Sequence, residues 1–251
     1  MSEFQQFQQV GAGKRRTAGR RRRSVARQWL KELVLTQLDL HGTQLTVVDL
    51  GGGTGGIATA MAEVGHTVLV IDPSPDALAA TQRRAAETNL SDRVTAVQGD
   101  TATLAELVPA GSADVVASHL VLDRRGETAE ALAAIATALK PGGLLSIVIT
   151  QRLPRVWHQA EAGNFAAARA LLQDTDLVDR AGLLDLLIAG GWSVLAEHGV
   201  GVISDHVPES AAEGQADELL ELEAAAAGNP AFLEAALRLH VLATHTGAST
   251  D

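Results

Sequence analysis

Cysteine is absent from the 251 residues, so disulfides and thiolate metal sites are both excluded, and nothing points to an oxidising compartment. Tyrosine is absent as well, and four Phe and three Trp are the whole supply of large rings. No apolar run approaches the roughly 20 residues that span a bilayer. The segment after Arg23 is broken by Arg27, Gln28, Lys31 and Glu32, which leaves no apolar core for a secretory or twin-arginine signal. These absences describe a cytoplasmic protein with no membrane partner. Basic residues are also scarce outside one place. Lys14, Arg15, Arg16, Arg20 to Arg23 and Arg27 are eight of the twenty, and Glu3 is the one acid among them. Residues 1–27 therefore carry +7 and the remainder −17 of the net −10. Residues 1–23 read as a basic arm and residues 24–251 as one domain, a length sufficient for a full α/β core. The arm has two readings: a contact to nucleic-acid phosphates, or a solvated terminus with one arginine folded back on a ligand.

The stretch that organises the domain is Val47-Val48-Asp49-Leu50-Gly51-Gly52-Gly53-Thr54-Gly55-Gly56. A β-branched apolar run stops at clustered glycines and gives way to the helical spacing of residues 57–66. Strand, glycine turn and helix open a nucleotide-type βα unit, in which glycine lets the backbone approach a ligand. Gly51, Gly53 and Gly56 also fit the dinucleotide fingerprint. Asp49 separates the cases: a carboxylate aimed into that turn repels a pyrophosphate and suits the amine and sulfonium of S-adenosylmethionine (SAM). The alternative role for Asp49 is to cap the turn by accepting backbone N–H groups.

Further along, residues 24–40 read as an amphipathic helix. Strands are expected at 67–71, 93–98, 113–118, 144–150, 193–203 and 237–244, with helices at 75–89, 101–108, 127–139, 156–172 (interrupted at Gly163-Asn164), 179–189 and 213–226. Lys140-Pro-Gly-Gly143 reads as a sharp turn into the fifth strand. The alternation implies a doubly wound parallel sheet. Asp72, about 20 residues past the glycine turn, stands where an acid receives ribose hydroxyls, or caps the helix that follows. Asp100 ends the third strand, placed either to accept from an adenine amine beside the Thr101 N–H or to cap the next helix.

Together Val47–Gly56, Asp72, Gly99-Asp100, the His119 loop and Leu139-Lys-Pro-Gly-Gly143 resemble the class I SAM-dependent methyltransferases, over roughly residues 24–245. The resemblance implies a Rossmann-like seven-stranded sheet whose last strand is antiparallel, and SAM as cofactor. It also implies cofactor contacts from Asp49, Gly51, Gly53, Asp72, Pro73, Asp100, Thr101 and His119. In the C-terminal third, Ala162-Gly-Asn-Phe165, Ala189-Gly-Gly-Trp192, His198-Gly-Val-Gly-Val202, Leu219-Leu-Glu-Leu-Glu223 and Leu239-His-Val241 look like the tRNA 5-carboxymethoxyuridine methyltransferases. Gly19-x-x-Arg22 is similar to their N-terminal arginine that clamps SAM. The chain departs from that pattern in three places. Asp123-Arg124 stands where an acid and tryptophan are expected, the lysine-rich insertion after Phe165 is missing, and Leu237-Arg238 replaces an Arg-Tyr pair.

Methyl transfer from a sulfonium is an in-line displacement, so alignment and exclusion of water are the main demands. A base is needed for an alcohol, phenol or amine acceptor and not for a carboxylate. His119 is the candidate base, with Asp123 beside it as a second catalytic candidate. His158 and Asn164 are candidates to line the acceptor pocket, with Arg152 and Arg155 near them. His240, in an apolar strand, reads as a core histidine. No metal-ligand spacing is present. The acceptor is a small molecule or a tRNA wobble uridine derivative. The other function classes are a catalytically silent SAM- or partner-binding body and an NAD-dependent oxidoreductase.

Overall fold

A computed structural model of the chain describes residues 25–212 and 214–245, without the side chain of residue 209. The basic arm expected at 1–23 and Arg22 lie outside the described residues. Helix α1 (residues 25–41) precedes β1 (Thr46–Leu50), α2 (Gly56–Glu63), β2 (Thr67–Asp72), α3 (Pro75–Glu87), β3 (Val94–Gln98), α4 (Leu104–Leu107) and β4 (Ala113–His119). Then come α5 (Arg125–Ala138), β5 (Leu139–Thr150), α6 (Arg152–Glu161), α7 (Phe165–Gln173), α8 (Arg180–Ala189) and β6 (Trp192–Val200). Helices α9 (Glu209–Ala212), α10 (Ala216–Ala227) and α11 (Pro230–Leu233) lead to β7 (Arg238–His245).

The seven strands form one sheet in the order β3-β2-β1-β4-β5-β7-β6. β7 runs antiparallel to both neighbours, and the other observed pairings are parallel. This is the doubly wound α/β sheet with an antiparallel last strand. Because side chains alternate along each strand, the sheet buries two apolar layers. Val48, Leu50, Val116, Leu145 and Ile147 face α5 and α8 through Leu132, Ile135, Leu183 and Leu187. Val47, Val115, Leu144 and Val148 face α1, α2 and α3 through Leu30, Val34, Met61 and Leu78.

Three expected elements came out differently. Lys140–Gly143 fall within β5 as an irregularity rather than a separate turn: Leu139 pairs with Ala113 and Leu144 with Val115, so the four residues between them bulge out of the ladder, with Gly142 at φ +77°. The helix expected at 101–108 shrinks to one turn, since the Asp100 carboxylate accepts from the Ala102 and Thr103 N–H groups and shapes a bend first. The sixth strand ends at Val200 instead of 203. Glu223 of α10, fully buried, accepts from the backbone N–H groups of Gly201, Val202, Ile203 and Ser204 at 2.6–3.0 Å. A carboxylate distant in sequence thus takes four amides that would otherwise continue a ladder.

Truncating it leaves four amides without an acceptor. Glu223→Ala should lower unfolding free energy by about 3 kcal/mol and Glu223→Gln by less, measured by urea denaturation. Equal stability of both variants and the parent would refute the clamp.

Candidate functional site

Crossovers position the site. The connection after β1 runs to α2 on one face of the sheet, and the connection after β4 runs to α5 on the other. The crevice of such a sheet opens between these two strands at their C-terminal ends. A cleft of about 600 Å³ lies there, lined by Asp49, the glycine turn, His119 and Leu120, and on its outer side by Arg27, Gln28, Leu30 and Lys31 of α1.

The turn is fixed from several directions. Gly51 has φ +72° and donates to the Ile71 carbonyl at 2.7 Å. A Cβ on Gly51 would strike the Val121 side chain, and one on Gly52 would lie 2.5 Å from Asp49 Oδ2, so both positions require glycine. The Gly53 N–H donates to Asp72 Oδ2 at 2.9 Å, and Thr81 Oγ1 donates to the Gly53 carbonyl at 2.8 Å.

Asp49 is 3% exposed and accepts no hydrogen bond from a described residue. The turn-capping alternative is therefore not what this carboxylate does; Asp72 does it instead. Burial, and then the neighbouring Asp72, push the Asp49 carboxyl up to about 7. A buried carboxylate without a donor is costly unless a cation joins it. The site thus fits a ligand carrying an ammonium or sulfonium group and disfavours a pyrophosphate.

Asp72 Oδ1 accepts from the Ser74 N–H and Oδ2 from the Gly53 N–H, both at 2.9 Å, leaving each oxygen a second lone pair. Pro73 beside it is exposed, with its carbonyl accepting from Gln98. Asp100 is exposed and Thr101 half-buried at the end of β3.

His119 Nε2 lies 2.9 Å from Ser146 Oγ, while Nδ1 is inaccessible and has no partner among the described residues. Desolvation lowers its pKa to about 4. Leu120, next to it, has φ +63°, an uncommon conformation for a residue with a Cβ, and is exposed over the turn.

The remaining candidates stand farther out. Asp123 is ion-paired with Arg155 at 3.4 Å, on the side of α6. His158 is exposed, 3.9 Å from Glu161. Asn164 is exposed and donates to Gln159. None of these three lines the cleft. Three contributors escaped the sequence reading. Arg27 and Lys31, four apart on one helix face, were legible as a pair; Ser146, in an apolar strand, carried no local signal.

A family model for a methyltransferase domain matches residues 47–143, from β1 to the middle of β5. The tRNA 5-carboxymethoxyuridine methyltransferase of Escherichia coli (strain K12) is 26% identical over 90% of this chain and 89% of its own length. The ubiquinone biosynthesis O-methyltransferase of Xanthomonas euvesicatoria pv. vesicatoria is 32% identical over 57% of this chain and 58% of its own. In fold, the chain is similar to geranyl diphosphate C-methyltransferase from Streptomyces coelicolor A3(2), with a TM-score of 0.56 at 17% identity, covering 86% of this chain and 79% of that one. It is also similar to a SAM-dependent methyltransferase from Mesorhizobium loti, with a TM-score of 0.53 at 20% identity, covering 81% and 92%.

A raised Asp49 makes cation binding pH-dependent. The carboxyl must ionise to receive the ligand, so affinity for SAM should rise with pH up to about 7 and level off above it. Calorimetry in two buffers of different ionisation enthalpy should show proton release below pH 7. Asp49→Asn should bind more weakly and lose both effects; a variant that kept them would refute the assignment.

Proposed function

The chain is a class I SAM-dependent methyltransferase, and on that premise we propose that it methylates a hydroxyl or amine on a small molecule. When bound, SAM supplies a methyl carbon already activated by its sulfonium. Asp49 receives the cationic end, the glycine turn admits it close to the backbone, and Asp72 and Asp100 offer carboxylate lone pairs toward ribose and adenine. His119 lines the cleft beside them, with Nε2 on Ser146 and Nδ1 buried, and Leu120 with α1 keeps water from the reacting atoms.

The observation that carries the small-molecule reading is that five of the seven arginines beyond position 120 are ion-paired, Arg125 and Arg169 being the exceptions. Arg124 is paired with Asp174 and Asp176, Arg152 with Asp179, Arg155 with Asp123, Arg180 with Glu197 and Glu234, and Arg238 with Asp205. Arginines already neutralised by carboxylates offer little to a phosphate backbone. The residues beyond position 27 carry −17 in total, which works against RNA as well.

A second reading is favoured by the end-to-end likeness to the E. coli tRNA enzyme. In it the acceptor is a tRNA wobble uridine derivative, and the basic residues 14–27 contact phosphates. The Xanthomonas relative, matched over 57% of this chain, is an O-methyltransferase named for ubiquinone biosynthesis and sits with the first reading.

Incubating the full chain with methyl-labelled SAM separates the two. Bulk tRNA and a panel of phenols, catechols, hydroxy acids and amines are offered in parallel. Label is expected in small molecules and not in tRNA; label in tRNA overturns the first reading. Asp72→Ala should weaken SAM binding by roughly 2–3 kcal/mol in calorimetry, because charge-assisted hydrogen bonds are removed. Unchanged affinity in a folded variant would remove Asp72 from the site.

A further inference from the structure

Arg27 and Lys31 stand one turn apart on α1, both exposed, and both line the outer side of the cleft. Like charges four residues apart repel and destabilise a helix. No acid offsets them: neither has an ion-pair or hydrogen-bond partner among the described residues. Glu32, beside Lys31 in the chain, accepts instead from the Gln28 side-chain amide at 3.0 Å. Eight of the other eleven described cations donate to a carboxylate or a carbonyl. Arg83, Arg125 and Arg169 do not, and none of the three lines the cleft. A costly pair of unpartnered cations is thus kept at the one edge of the cleft that α1 supplies.

The cofactor does not satisfy that pair. SAM brings one carboxylate against two cations, and its sulfonium and ammonium leave it with a net charge of +1. With Asp49 ionised and His119 kept neutral by burial, the residues lining the cleft also sum to +1. Asp72, outside the lining but close enough to act on Asp49, offsets one of these two charges, and the other stays. A cleft of one sign focuses its field and draws ligands of the opposite sign. The charge still missing from the site is negative.

We propose that Arg27 and Lys31 form an anion seat for the methyl acceptor, which is a small molecule bearing a carboxylate or phosphate apart from the atom that is methylated. An anion between the two side chains removes their mutual repulsion and receives charge-assisted hydrogen bonds from both. Asp49 and the pair then divide the cleft by sign, the cationic end of the cofactor on one side and the acidic acceptor on the other. The inference rests on the proposed small-molecule reading of the acceptor.

The seat also couples acceptor binding to the state of the cofactor. Transfer of the methyl group turns the cationic sulfonium of SAM into the neutral thioether of S-adenosylhomocysteine, so the attraction for an acid is greater before transfer than after it. RNA presents phosphates too, but a polyanion is held by a run of cations along its backbone, and the described residues offer two at the cleft.

Inorganic phosphate is the first probe, titrated into the full chain saturated with sinefungin, a SAM analogue with an amine in place of the sulfonium. Backbone 1H–15N spectra should show saturable shifts centred on Arg27, Gln28 and Lys31; their absence overturns the seat. Arg27→Gln and Lys31→Gln should each weaken phosphate binding about tenfold, the loss of a charged hydrogen bond at an exposed site. Glutamine matches both residues in helix propensity, so α1 should persist in either variant. Phosphate should bind less tightly when S-adenosylhomocysteine replaces sinefungin. Calorimetry of S-adenosylhomocysteine separates the two sources of an anion, because that molecule keeps the cofactor's carboxylate. An unchanged Kd in both variants supports the seat, and about a tenfold loss in both assigns the pair to the cofactor and overturns it. A parent chain that binds neither cofactor analogue sinks the cofactor reading instead, and phosphate titration of the free chain still tests the pair. With the acceptor found by labelling, its uncharged amide or dephosphorylated form should show a KM about tenfold higher, and Arg27→Gln should raise KM for the acid by a similar factor with kcat near that of the parent. Equal KM for the charged and uncharged forms, or label in tRNA, overturns the proposal.

Discussion

The structure depends on the reversal between β1 and β4. Strand β1 hands the chain to β2 on one side and β4 hands it to β5 on the other, with α2 and α5 leaving to opposite faces. No helix can cover the C-terminal ends of those two strands, so a crevice is the unavoidable product of the winding. Asp49 pairs in register with Ala117, which puts His119 two residues beyond it on the same face. A carboxylate and an imidazole are thus placed beside one cleft by strand register alone, before any loop is specified.

The cleft and the region of α6 and α7 are built on different physics. The cofactor side is an apolar α/β layer closed by glycine contacts and backbone hydrogen bonds. By contrast, α6 and α7, which contribute no residue to the cleft, bury little beyond Pro154 and Ala168 and expose Leu153, Trp157, Phe165 and Leu172. Ion pairs from Arg124, Arg152 and Arg155 bind this region to the β4–α5 connection and to residues 174–179. Partly exposed pairs contribute little each, so this wall is the more easily displaced of the two.

What the sequence disclosed follows from the range of the forces involved. Val47–Gly56, Asp72 and Asp100 were legible because strand ends, glycine turns and their acids are local patterns, and they came out at the ends of β1, β2 and β3. The end of the sixth strand was not legible, because Glu223 sits more than 20 residues away and its four amide bonds leave no trace in residues 193–203. Lys140-Pro-Gly-Gly143 carries every mark of a turn, and it bulges within β5 because Leu139 and Leu144 on either side both pair with β4. His240 was read as a core histidine, and its burial agrees. Its partners Ser146, His119 and His198 come from three other strands, and only the register of three ladders brings them together.

Asp49 has a consequence for the lifetime of the protein. Its carboxyl holds a proton to about pH 7 in the folded chain, against 3.8 for the free group. Between those values folding is progressively penalised as pH rises, and above pH 7 the penalty is complete. A cation seated on Asp49 removes it, and a ligand that binds only the folded state adds further protection. Cofactor binding therefore supports the fold as well as the chemistry: above pH 7 the chain without a cation on Asp49 is the more readily unfolded.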